Sequence, residues 1–225
     1  MAFGNGPKIV TGGLILSLDA SDRNSYSGSG TTWNDLSGNG NNGTLTNGPT
    51  YSSENGGTIV FDGTNDTIAL TATTVTLGMV GGNFTVNVWL NNNGTTKGGI
   101  VSAASSSTLG NTYELTINTA NNVQVTYYGG GSVNTSIVSN TWYMITHTYV
   151  YATRSSKLYK NGLLTSSVTM TTDLTTTGPL IIGWYGYGGG YLNGKIPISQ
   201  IYNKELSATE VLQNYNALKS RFNLT

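Results

Sequence analysis

The chain has 225 residues and 37% hydrophobic content, enough for one domain with a sizeable core. Ten basic residues balance ten acidic ones, only 9% of the chain is charged, and no run of like charge occurs; this excludes the clustered Lys and Arg that nucleic acid or an anionic membrane surface requires. Cysteine is absent, so disulfides and thiolate metal sites are excluded as well.

The N-terminal stretch MAFGNGPKIVTGGLILSLDA has no basic leader. Its apolar run from Leu14 to Leu18 is far shorter than a signal segment or a membrane span, so synthesis in the cytosol and no membrane insertion are expected. LDASD (Leu18 to Asp22) and FDGTND (Phe61 to Asp66) each hold two aspartates among Asn, Gly and backbone carbonyls. Asp19, Asp22, Asp62 and Asp66 are therefore candidate Ca²⁺ ligands, hard oxygens of the kind that cation takes, although neither stretch has EF-hand spacing. The alternative, favoured here, is that Asp19 and Asp62 end strands by accepting turn N–H groups.

Period-two segments dominate the middle of the chain. In FTVNVWL, Phe84, Val86, Val88 and Leu90 share one face while Thr85, Asn87 and Trp89 share the other, a half-buried strand. YELTIN (Tyr113 to Asn118), VQVTYY (Val123 to Tyr128), WYMITHTYV (Trp142 to Val150), KLYK and GPLIIGWY read as further strands. Asn42-Gly43, Asn55-Gly56, Asn93-Gly94, Asn161-Gly162 and Asn193-Gly194 punctuate them, and Asn-Gly tolerates the positive φ angles of a type I′ turn. KLYKNGLLTSS is the clearest hairpin. The last element is a helix over about 207–222: Ser207 and Glu210 form a capping box, and Val211, Tyr215, Leu218 and Phe222 follow as one apolar stripe. It is expected to dock on the sandwich edge or between protomers.

The acids show no acid-x-acid spacing on any strand, which argues against a glycosidase pair held on one strand. His147 is the only histidine and no nucleophile elbow accompanies it; it is expected on a sheet face, its ring hydrogen-bonded to a neighbour. Candidate binding residues are aromatic instead. IIGWYGYGGGYLNG carries Trp184, Tyr185, Tyr187 and Tyr191, flat rings with polar tips that suit stacking on a sugar, and Asn193 lies close enough to read hydroxyls. Tyr127 with Tyr128, and Trp89 with Asn87, form two further candidate glycan contacts. The competing readings are core packing for one ring of each alternating pair and a subunit interface for the rest.

Three segments, GLILSLDASDRNSYSGSGTTWNDLSGNGNNGTL, IVFDGTNDTI and ISQIYNKELSATEVLQNY, together resemble the concanavalin A-like lectin/glucanase superfamily in its laminin G-like form. The likeness extends over nearly the whole chain. It implies an all-β fold, a jelly-roll β-sandwich of two antiparallel sheets with one C-terminal α-helix, forming a single domain over 1–225, with a concave face that often binds carbohydrate and sometimes Ca²⁺. It also places Asn34 to Leu45 as a double turn feeding a strand that begins at Thr44, pinned by Trp33 and Leu36. The chain departs from relatives that carry an acidic pair before the last strand, having Pro197-Ile198 there, and it lacks the acid cluster of the family's hydrolases. This variant is similar to virion proteins of tailed bacteriophages. What that likeness implies is a non-catalytic, lectin-like capsid decoration or fibre component in the virion, contacting other virion proteins and host-surface glycans, in many copies or as a homo-oligomer; a carbohydrate-binding module of a cellular system and a glycan hydrolase or lyase stay open as alternatives.

Overall fold

The structure is a computed structural model that describes residues 7–94, 97–103, 112–127, 130–186 and 190–225. The chain runs through β1 (Leu14–Asp19), β2 (Thr32–Trp33), β3 (Gly43–Thr46), β4 (Thr50–Ser52), β5 (Thr58–Asp62), β6 (Thr67–Thr73), β7 (Phe84–Asn92) and β8 (Gly98–Ala103). It continues with β9 (Tyr113–Ile117), β10 (Asn122–Tyr127), β11 (Gly131–Ser136), β12 (Trp142–Val150), β13 (Ser155–Lys160) and β14 (Leu163–Thr169). Last come β15 (Pro179–Ile182), the short β16 (Trp184–Tyr185) and β17 (Gly190–Tyr191), β18 (Asn193–Tyr202) and the helix α1 (Ala208–Leu218). The first sheet has the order β14-β13-β12-β7-β18-β5-β4, with β1 also paired to β18, and the second the order β11-β10-β9-β8-β15-β6-β3-β2. All strand pairs among the described residues are antiparallel. This is the two-sheet jelly roll that the sequence implies. No helix among the described residues is long and apolar enough to cross a membrane.

Alternation fills the space between the sheets. Phe84, Val86, Val88 and Leu90 of β7 face Leu115, Ile117, Val123 and Val125 of the second sheet in one core. The half-buried reading of β7 is corrected, because every residue of that strand is buried. Its outer face is covered by α1 and by a 3-10 turn at Lys219–Phe222: Trp89 stacks on Phe222 at 4.2 Å between centroids and on Tyr215 at 5.9 Å. The helix thus docks on a sheet face and not on its edge. The cap that starts it is as read from the sequence, with Glu210 N donating to Ser207 Oγ at 3.3 Å and Ser207 N to Glu210 Oε2 at 2.9 Å.

Pro197 stands inside β18, where it cannot donate to the ladder, and the register with β7 shifts there between Lys195 and Ile198. Its carbonyl instead accepts from Ala20 N at 2.9 Å. Of the Asn-Gly pairs, Asn161-Gly162 and Asn55-Gly56 take positive φ at both residues, and the first closes the β13–β14 hairpin as expected. Asn42-Gly43, Asn93-Gly94 and Asn193-Gly194 stay out of the left-handed region. Gly43 is a strand residue whose Cβ would lie 2.7 Å from Ile68 Cγ2, so glycine is required there by packing. The loop before it is organised by Asp35: its carboxylate accepts from Ser17 N, Ser37 N and Oγ, and Asn41 N at 2.7–3.0 Å. Trp33 is fully buried beneath this loop, whereas Leu36 is 40% exposed and pins nothing.

His147 lies on the inner face of β12 among Phe84, Tyr113 and Tyr127, its Nε2 2.8 Å from Ser156 Oγ. Burial lowers its pKa from 6.5 to about 3. With the folded-state pKa depressed, its contribution to stability is present above pH 6.5 and is lost as pH falls toward 3. His147→Gln, which cannot ionise, is therefore expected to flatten the fall in melting temperature over that window; an unchanged acid limb would contradict this. Phe222→Ala removes the ring stacked on Trp89 and is expected to lower unfolding free energy by ~3 kcal/mol, measured by urea titration.

Candidate functional site

Among the elements bearing the sequence-selected aromatics, β16 and β17 form a two-stranded hairpin, Trp184 opposite Tyr191 and Tyr185 opposite Gly190. The hairpin lies across the outer face of β8. What lets it do so is the absence of side chains beneath it: a Cβ on Gly99 would fall 1.9 Å from Trp184 O, and one on Gly98 2.9 Å from Tyr191 O. Ser102 Oγ donates to Trp184 O. By strand alternation the register partners Trp184 and Tyr191 share one face and Tyr185 takes the other; the first two are half-buried, while Tyr185 is 8% exposed.

Beneath the hairpin sits a carboxylate that motif spacing did not single out. Glu114 of β9 is opposite Ser102 of β8 on one side and Thr126 of β10 on the other, so it points to the outer face of the second sheet, yet it is only 2% exposed. Burial raises its pKa from 4.5 to about 7, against the pull of the Lys97 ammonium and a hydrogen bond from Tyr185. Lys97 Nζ lies 3.7 Å above the centre of the Tyr185 ring, a cation–π contact. The alternation in YELTIN signals Glu114, since its neighbours Tyr113 and Leu115 face the core. Lys97 carries no comparable signal, because its role depends on where the hairpin falls.

Several sequence candidates are corrected. Trp89 is fully buried under α1. Asn87 is fully buried as well, its Nδ2 donating to Gln200 Oε1 at 2.9 Å and its Oδ1 accepting from Thr146 Oγ1 at 2.5 Å. Tyr127 is fully buried, packed edge-on against Tyr113 and Tyr149. None of these three presents a surface to a ligand. Tyr128 and Tyr187 lie outside the described residues. Asn193 begins β18 opposite Asp62 and packs beside Gly63.

The aspartate pairs close turns. Asp19 Oδ1 accepts from Ser21 N and Oγ and from Arg221 Nη1, all at 2.8–2.9 Å. Asp22 Oδ1 accepts from Asn24 N, Asp62 Oδ1 from Thr64 N, and Asp66 Oδ2 from Asp62 N. An arginine on Asp19 occupies the place a cation would need, and among the described residues no three acidic or histidine side chains converge on a metal position. The four aspartates do not fit a Ca²⁺ site.

Residues 62–212 match Laminin_G_3, of the concanavalin A-like lectin/glucanases superfamily. The chain belongs to this family. No curated protein matches it by sequence. Solved structures similar to it include the botulinum neurotoxin serotype G binding domain, with TM-score 0.72 and 18% identity over 90% of this chain and 50% of that one. The binding domain of botulinum neurotoxin DC in complex with SialylT aligns with TM-score 0.71 and 15% identity over 92% and 52%. Trypanosoma rangeli sialidase in complex with sialic acid aligns with TM-score 0.70 and 14% identity over 93% and 33%. The chain thus spans about half the length of the toxin domains and a third of the sialidase. At these identities the likeness is one of fold.

A folded-state pKa above the ordinary value means that Glu114 contributes stability fully below pH 4.5 and loses it as pH rises through about 7. Glu114→Gln is accordingly expected to raise the melting temperature above pH 7 by ~3 °C and to converge with the parent below pH 4.5; a variant that melts lower at both extremes would contradict this.

Proposed function

We propose that this laminin G-like chain is a non-catalytic lectin whose β16–β17 hairpin stacks a sugar ring on Trp184 and Tyr191. The observation that carries the reading is the pairing of those two half-buried rings on the hairpin face opposite Tyr185. Tyr185 then acts as the anchor: wedged between Lys97 and Glu114, it fixes the hairpin on β8. Asn193, two residues beyond Tyr191, supplies an amide for hydroxyls.

The deployment of acids supports the non-catalytic part. Asp19, Glu54, Asp173, Glu205 and Glu210 are engaged in ion pairs, and Asp22, Asp35, Asp62 and Asp66 accept turn or loop N–H groups. Glu114 stands alone, its acting charge being Lys97, and glycoside hydrolysis in its usual form needs two carboxylates. For setting, we propose the virion of a tailed bacteriophage, as a capsid decoration or fibre component contacting host-surface glycans. The chain's likeness to such proteins supports this, and so does a low-charge, Thr- and Asn-rich β surface. Shallow sugar contacts are weak singly, and display as a homo-oligomer or in many copies on a particle would supply avidity.

A glycan panel measured by calorimetry tests the site: Trp184→Ala and Tyr191→Ala are each expected to weaken binding ~tenfold, with no release of reducing ends. Unchanged affinity in both variants, or polysaccharide cleavage, would overturn the reading. Mass spectrometry of purified particles tests the setting, which absence of the chain there would sink.

A further inference from the structure

Away from the hairpin, the turn joining β12 to β13 forms a concavity. Tyr151, Thr153 and Arg154 of the turn, Thr169 and Met170 at the end of β14, and Asp173 line a pocket of about 370 Å³, within the range of small-ligand sites. Arg154 has φ of 52°, a left-handed conformation that a turn ordinarily gives to Gly or Asn, and that an arginine keeps only when its surroundings hold it there.

The surroundings are specific. Arg154 O accepts from Met170 N at 2.9 Å, and the guanidinium grips Asp173 side-on, Nε to Oδ1 at 3.0 Å and Nη2 to Oδ2 at 2.8 Å. Asp173 Oδ1 also accepts from the hydroxyl of Tyr149 at 2.9 Å, whose ring is fully buried in the core. The array is therefore tied to the sandwich interior through one phenol. Hydrogen bonding from Arg154 holds the Asp173 carboxyl below the usual carboxylate range, so it remains an ionised acceptor. Arg154 Nη1 has no partner among the described residues, and the side chain is 46% exposed. Beside it Tyr151 is 43% exposed, its backbone fixed by a 2.9 Å bond from its N–H to Asn83 Oδ1.

We infer that this pocket is a second ligand site, taking a neutral sugar ring stacked on Tyr151 with two adjacent hydroxyls bridged by Asp173 Oδ2 as acceptor and Arg154 Nη1 as donor. The chemistry selects that class. An arginine already neutralised by a carboxylate has little pull on an anion, while a fixed donor next to a fixed acceptor matches a vicinal diol, and an exposed tyrosine offers the apolar platform that a sugar's C–H face needs. Thr153 and Thr169 add hydroxyls at the rim. The left-handed φ of Arg154 ends the 3-10 turn at Tyr151–Thr153, but an ion pair that merely closed the turn would not call for an exposed aromatic ring beside it.

The site is independent of the hairpin. β7 begins beside the pocket, where Phe84 is opposite Tyr149, and ends beside the hairpin, where Asn93 N donates to Asn193 O; nine residues of strand set the two ~25 Å apart. One molecule would thus engage two sugar residues at opposite ends of the sandwich.

The test monitors the Arg154 Nε–H resonance by NMR while methyl glycosides of glucose, galactose and mannose are titrated. At least one glycoside is expected to shift it, with Tyr151→Ala weakening the response ~tenfold, Tyr151→Phe preserving it, and Trp184→Ala leaving it unaltered. A resonance that no glycoside moves, or a shift caused only by phosphate or acetate, would overturn the inference. So would a Tyr151→Ala variant that keeps the parent melting temperature and the full response. Loss of hairpin binding in Trp184→Ala with the Arg154 response intact would separate this site from the one proposed above.

Discussion

Trp89 lies between the first sheet and the C-terminal segment, its ring stacked with Tyr215 and Phe222, and that stack decides which face of the molecule is open. The face of β7 that Trp89 shares with Thr85 and Asn87 would be half polar and wet on its own. Thr85 Oγ1 instead donates to Lys204 O and accepts from Leu206 N, leading the chain into α1, and Asn87 is satisfied by Gln200 and Thr146. A second apolar cluster, including Met144, Tyr159, Ile198 and Val211, closes around the indole. Once the helix claims the outer face of the first sheet, the outer face of the second is the one left for the β16–β17 hairpin.

That face carries the hairpin only because β8 begins with two glycines. Backbone laid on backbone at the distances seen over Gly98 and Gly99 leaves no room for a methyl group, and the close approach buries Glu114 without a charge partner of its own strength. The consequences are linked. A carboxyl that burial pushes toward neutrality can hold a tyrosine hydroxyl, and Lys97 over the ring of that tyrosine restores part of the lost solvation. Anchoring and electrostatics come from the same close packing.

Much of the fold was legible in the chain. The alternations of residues 84–90, 113–118 and 142–150 gave strands of nearly those bounds, and the Ser207–Glu210 box gave the helix start. Where the reading failed, the deciding contact was distant in sequence. Trp89 and Asn87 looked like a surface pair because period two marks which residues share a face, and cannot mark that residues 202–222 will cover it. Tyr127 failed likewise, being the inward member of its strand. Asn42-Gly43 looked like a turn, whereas Ile68 requires a glycine in a strand. Asp19 accepts a turn N–H, as the favoured reading had it, but nothing local marked that Arg221, some two hundred residues away, would sit on the same carboxylate.

Low charge density also explains how the site is built. With so few ionic groups, the fold spends nearly all of them on itself: Arg221 alone ties Asp19, Asn55 O and Gly57 O into one junction, and Lys195, Lys157 and Lys204 each find an acid. In the lectin proposed above, recognition falls to rings, amides and hydroxyls, groups whose interactions need neither a charged partner nor low salt. A surface of that composition discriminates by shape and hydrogen-bond geometry. Such discrimination depends on rigid placement, which is what the glycine-seated hairpin and the core-anchored Arg154–Asp173 pair both provide.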